Sequence, residues 1–187
     1  MIMRLVGILF STYMLLWIQS FVNTGYLEAE DDALRIFRKV MMISMVGNLV
    51  VLPLVGWLSD TVRSAILIPF AYALRFVACM AFTHLEVPDS TSAYISCTFL
   101  ILATQLENVS VEVLFMRDMP GDIRGILNAL LHFSGQIGIL FYSQVGGRLF
   151  DSMGPAAPFW LLGIMDIVVG GLALILGLLG KFEAKSN

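Results

Sequence analysis

Charge is what this 187-residue chain has least of, with 13% of its residues being Asp, Glu, Lys or Arg. A soluble domain carries about a quarter. The chain therefore lacks the polar surface that a soluble fold of its size needs, which excludes a soluble enzyme domain. Histidine and cysteine are equally scarce, two of each, the cysteines being Cys79 and Cys97. They make no CxxC pair, no Cys/His cluster and no metal-ligand spacing, so neither a metal centre nor a disulfide scaffold is expected. Both thiols lie in apolar runs and read as buried and inert. Excess basic charge is missing too: a net charge of -3 provides no field to attract nucleic acid. No nucleophile elbow, HExxH helix or strand-linked phosphate loop occurs. The expectation is a protein that is not an enzyme and holds no cofactor and no metal.

What is present is apolar sequence. Hydrophobic residues make up 58% of the chain, and its mean hydropathy is +0.87. A bilayer core needs about 20 mostly apolar residues per helix. Six runs satisfy this, at roughly 4–22, 36–57, 64–83, 93–115, 123–149 and 157–180. They are too long and too evenly apolar for the alternating strands of about 10 residues that build a barrel. The connections carry turn residues: Asn23-Thr24-Gly25, Val87-Pro88-Asp89-Ser90, Met119-Pro120-Gly121-Asp122 and Gly154-Pro155. The sequence thus predicts an all-α polytopic membrane protein, with residues 1–187 forming a single bundle of six transmembrane helices in the lipid bilayer. The first run is longer than a signal-peptide core and no A-x-A site follows it, so it reads as a retained span. Six spans put both termini on one side. That side holds Arg4, Arg63, Arg117, Arg124, Lys181 and Lys185, against Arg35, Arg38, Lys39 and Arg148 on the other. The positive-inside rule then makes the termini cytoplasmic.

The segment between the second and third runs reads Gly56-Trp57-Leu58-Ser59-Asp60-Thr61-Val62-Arg63-Ser64. Gly56 would let two helices approach closely. Asp60, read as lying just past the second helix, would cap the third or pair with Arg117 or Arg124 on the neighbouring turn. Gly56, Leu58, Ser59 and Asp60 match the first half of the loop signature of the major facilitator superfamily, G-x-L-[SA]-D-[RK]-x-G-[RK]-[RK], which the segment resembles. In the second half Thr61 replaces a base and the second glycine is missing, with Arg63 keeping one positive charge. In that family a degraded copy marks the C-terminal half. The stretch from Met116 through Pro120, Arg124-Gly125, Gly135, Gly138, Gly146-Gly147 and Pro158-Phe159 is similar to the last three spans of such transporters. The resemblance implies half of a two-bundle transporter that works by alternating access. Its partners would be a small solute or ion and a second six-helix half, a copy of this chain or another. The first, second, fourth and fifth helices would line the path, and the third and sixth would sit peripherally. Six spans in place of twelve keeps a second reading open, a non-transporting membrane subunit built on the same half-fold.

An ionisable group inside a membrane is a functional candidate by default. At 100° per residue, Gln105, Asn108 and Glu112 share one face of the fourth helix, with Glu107 at its edge. His132 and Gln136 share a stripe of the fifth helix with Asn128. These two stripes are the candidates for a solute or ion path, and Glu107, Asp166 or His132 could carry a proton. Arg75, inside the third run, could pair with Glu107 or with Asp166 of the sixth. Gly56, Asp60, Arg63, Arg117 and Arg124 are the candidates for a conformational switch. Pairs such as Ser134/Gly138 and Ser143/Gly147 read as close-packing positions.

Overall fold

The computed structural model describes residues 7, 9–23, 25, 30–85, 87–118 and 124–179. Within them the chain is all helical. A π-helical turn, Leu9–Tyr13, runs into α1 (Met14–Asn23). It is followed by α2 (Glu30–Thr61), α3 (Ser64–Thr83), α4 (Thr91–Asp118), α5 (Arg124–Met153) and α6 (Ala157–Leu178). The turn at 119–123, the tail 181–187 and the side chains of Arg117 and Arg124 lie outside the described residues.

The order of the six helices follows the six apolar runs, and among the described residues four helices are long and apolar enough to cross a membrane: Asp31–Thr61, Ser64–Thr83, Thr91–Leu114 and Ala157–Leu178. Of the first run, the described residues show the π turn and α1, which together cover Leu9–Asn23. The fifth is long, at 30 residues, but Asn128, His132, Gln136 and Gln144 interrupt its apolar character.

Local chemistry explains several boundaries. Ser90 Oγ accepts a hydrogen bond from the Ala93 N–H at 3.1 Å, capping the start of α4. α3 ends at His84, whose N–H donates to the Ala81 carbonyl, while the next N–H, of Leu85, donates to that of Phe82. Before α6 the chain turns at Gly154, with φ of 97°, a conformation that glycine adopts without steric cost. Pro158 then sits in the first turn of α6, where its missing N–H is not needed. Pro53 and Pro69 lie inside α2 and α3, positions that membrane helices tolerate.

Helix α2 begins at Glu30 and extends to Thr61, so Gly56 through Asp60 are helical and not a turn. This corrects two expectations. Asp60 is an exposed residue of the last turn of α2, and the residue preceding α3 is Arg63, with no side-chain cap. A Cβ added at Gly56 would meet nothing within 4 Å, so no helix approaches it.

The centre of the molecule is α3. It packs most extensively on α6 and next on α4; α4 also carries α2, and α2 carries α1. The α3–α6 pair is antiparallel, since Ala65, Tyr72 and Cys79 face Gly177, Gly170 and Gly163 in turn. These three glycines recur every seventh residue, the period that keeps one seam of a helix against its neighbour. Phe159, Asp166 and Ala173 repeat at the same interval beside them and are buried. Aromatic rings fill one end of the core: Phe82 stacks on Phe159 at 4.1 Å between centroids, and Trp17 lies 4.6 Å from Phe82. Helices α2 and α4 run parallel: Gly47 adjoins Thr98, and the hydroxyls of Ser59 and Ser110 lie 3.4 Å apart. Helix α5 is the least embedded. It leans on α6 and on Tyr13, whose hydroxyl donates to the Ser143 carbonyl at 2.9 Å.

Candidate functional site

The densest chemistry lies where α3, α4 and α6 meet. Arg75, Glu107 and Asp166 are each no more than 1% exposed. Arg75 Nε donates to both oxygens of Asp166, at 3.0 and 2.9 Å, and Nη2 donates to Oδ1 at 2.5 Å. Nη1 of the same guanidinium donates to Glu107 Oε2. Glu107 Oε1 receives the hydroxyl of Tyr72 at 2.5 Å, and the guanidinium lies 5.1 Å from the centre of the Tyr72 ring. Guanidinium nitrogens form a rigid planar fork that suits two carboxylates at once. Here the fork bridges α6 to α4 from its base on α3.

The backbone makes room for it. A Cβ on Gly170 would stand 2.8 Å from the Cβ of Tyr72. That close approach of α6 to α3 carries Asp166, one turn away, onto Arg75. Tyr72 and Arg75 are three residues apart on one face of α3, so the phenol and the guanidinium reach Glu107 together.

The sequence proposed Arg75 with Glu107 or with Asp166, and the structure joins all three. Tyr72 was missed, although a phenol three residues before an intramembrane arginine is a visible signal. The Gly163/Gly170/Gly177 period was also missed. Of the path candidates, Glu107 is thus turned inward. Gln105 and Asn108 are half-buried, and Glu112 is exposed. The side-chain oxygen of Asn108 is buried with no hydrogen-bond partner, as are those of Ser44 and Asn48 on α2. On α5, Asn128, His132 and Gln136 are exposed. Among the described residues α5 packs chiefly on α6, and no extensive packing of its polar stripe on α4 occurs.

A second cluster lies at the end of α2 that meets the α3–α4 turn. Lys39 Nζ donates to Asp89 Oδ1 at 3.0 Å and lies over the Tyr94 ring at 5.0 Å. The Tyr94 hydroxyl donates to the same carboxylate. The Tyr94 bond, with Lys39 beside it, holds the Asp89 carboxyl below its usual range.

No group of three or more His, Cys, Asp or Glu able to hold a metal occurs among the described residues. Cys79 and Cys97 are buried and free. Cys97 Sγ contacts Met14 Sδ at 3.8 Å.

No protein-family profile and no solved structure matches the chain. A 58-residue segment is 43% identical to the magnetosome protein MamH of Paramagnetospirillum magneticum strain AMB-1. That segment is 31% of this chain, and it spans 12% of the length of MamH.

Proposed function

We propose that this chain forms half of a transporter for a small solute or ion, rocking against a second six-helix half in the manner of facilitator-type transporters. The observation that carries the reading is the polar stripe of α5. Asn128, His132 and Gln136 recur at every fourth residue and are exposed. Phe141 and Leu130 are exposed on the opposite side of the same helix. Lipid tails offer amide and imidazole groups no hydrogen bonds. The stripe therefore fits a surface that meets water or a second protein wall, while the Phe141 side fits lipid. Termini on the cytoplasmic side accord with the distribution of basic residues. The similarity to MamH makes the magnetosome membrane a setting in which to seek this protein.

A second reading, a non-transporting subunit, draws on the Arg75 network. Its donors and acceptors are engaged internally, which suits a part that fixes packing and binds no solute.

Water access separates the two. Single cysteines replace Asn128, Gln136 and Phe141 in the protein in lipid vesicles, and a membrane-impermeant thiol reagent is added. Cys79 and Cys97 are buried and can remain. A water-lined path requires rapid labelling at Asn128→Cys and Gln136→Cys and none at Phe141→Cys. If the first two are as inert as the third, the path reading is wrong.

A further inference from the structure

We propose that the outer face of α2 binds a phospholipid whose headgroup is zwitterionic and bears N–H donors, a phosphatidylethanolamine. Asp31, Arg35, Arg38, Met42, Val46 and Leu49 share one stripe of this helix at 100° per residue, and all six are exposed. Along the stripe the chemistry changes twice, from an acid to two guanidinium groups and then to apolar side chains alone. Residues rise about 1.5 Å each, so Asp31 stands about 6 Å beyond Arg35 along the axis, and Met42 about 6 Å to the other side of Arg38. An ethanolamine lipid carries its groups in the same order: ammonium outermost, phosphate below it, acyl chains below that. The depth is set by the apolar part of α2. From Val40 to Leu58 it has no charged side chain and is about as long as the hydrocarbon core is thick. Arg35 and Arg38 then lie at the level of the phosphates, and Asp31 lies outside them.

The charges of the stripe are open to a ligand. Lys39, beside it, is committed to Asp89 and to the Tyr94 ring, a tie that holds the α3–α4 turn against α2. Arg38 Nε donates to the Leu34 carbonyl at 3.3 Å. This steadies the guanidinium and leaves its two terminal amino groups for phosphate oxygens, which the planar fork suits. Among the described residues no ion pair joins Asp31 to Arg35. Two arginines alone would select an anionic lipid. Asp31 changes the choice, and Asp32 on the flank of the stripe adds to it. A glycerol headgroup has no cation to set against this outer negative charge. A choline headgroup has a cation but no N–H. An ethanolammonium has the cation and three donors. Binding of this kind requires α2 to face lipid and is independent of the transport reading.

Native mass spectrometry of the whole chain tests it, the protein being released from micelles that hold equal amounts of ethanolamine, glycerol and choline phospholipids with the same acyl chains. The wild type is expected to retain the ethanolamine lipid over both others by about two- to fivefold, the worth of one exposed ion pair. Asp31→Asn should keep lipid bound and abolish that preference. Arg35→Gln combined with Arg38→Gln should lower the retention of all three lipids. The substituted side chains are exposed, so the variants should fold, and an unchanged melting temperature checks this. Soluble phosphoethanolamine at the same concentration should not displace the lipid, because it has no chains to lie along Met42, Val46 and Leu49. A wild type that retains the glycerol lipid best has a plain basic patch, and the proposal is then wrong. It is equally wrong if the three lipids are retained alike, if the preference survives Asp31→Asn, if the double variant retains as much lipid as the wild type, or if soluble phosphoethanolamine displaces the lipid.

Discussion

Arg75 is the residue on which three helices depend. Its guanidinium is always charged, it is completely buried, and its partners come from two other helices. Removing it takes away one bridge and also strands a carboxylate with no counter-charge. Arg75→Met is accordingly expected to destabilise the fold by about 3–5 kcal/mol, read as a lowered midpoint in denaturant titration of the protein in detergent. Arg75→Lys keeps the charge but loses the fork and should fall between Met and wild type. Asp89 is the contrasting case. Its carboxyl is held below the usual range by Tyr94 and Lys39, so it stabilises the fold at pH values above the ordinary carboxylate pKa of about 3.9. That stabilisation is lost as pH falls through the lower folded value. Asp89→Asn should therefore lower the melting temperature slightly at pH 7 and make no difference at the acid end of the profile. Salt should shrink the effect, since both side chains are about half exposed.

At the scale of the helices, the glycines of α6 are not equivalent. The Cβ that Gly170 lacks would press on the Tyr72 Cβ, close to the α3 backbone, whereas at Gly163 the nearest atom is the flexible end of Met80. Gly170→Ala is expected to cost about 1–3 kcal/mol, Gly163→Ala clearly less, and Gly56→Ala nothing, each measured by thermal unfolding. The same contrast shows what could be read from the sequence. The order of the helices and the boundaries of α3 and α6 were legible, because the apolar runs are bounded by Arg63, His84 and Gly154-Pro155. Hydropathy could not say that Gly56 to Asp60 would continue α2. A degraded loop motif and a helical last turn have the same composition. Arg75, Glu107 and Asp166 stood out singly because charge inside an apolar run is conspicuous. Their meeting was not legible, because it depends on how closely α3 and α6 approach, and that rests on a seven-residue glycine period.

For the whole molecule, stability is concentrated unevenly. Helices α3, α4 and α6 share the core, whereas α5 holds on through α6 and a few contacts to the residues around Tyr13. The Arg75–Asp166 pair also has a history in time. Its members are separated by 91 residues, and chains are made at about 5–20 residues per second. Arg75 therefore exists for about 5–20 s before its main partner has been synthesised. Glu107 is only 32 residues behind, so it is made well before Asp166. During biogenesis the arginine can bridge α3 to α4 before α6 exists, and the arrival of Asp166 completes the link among three helices.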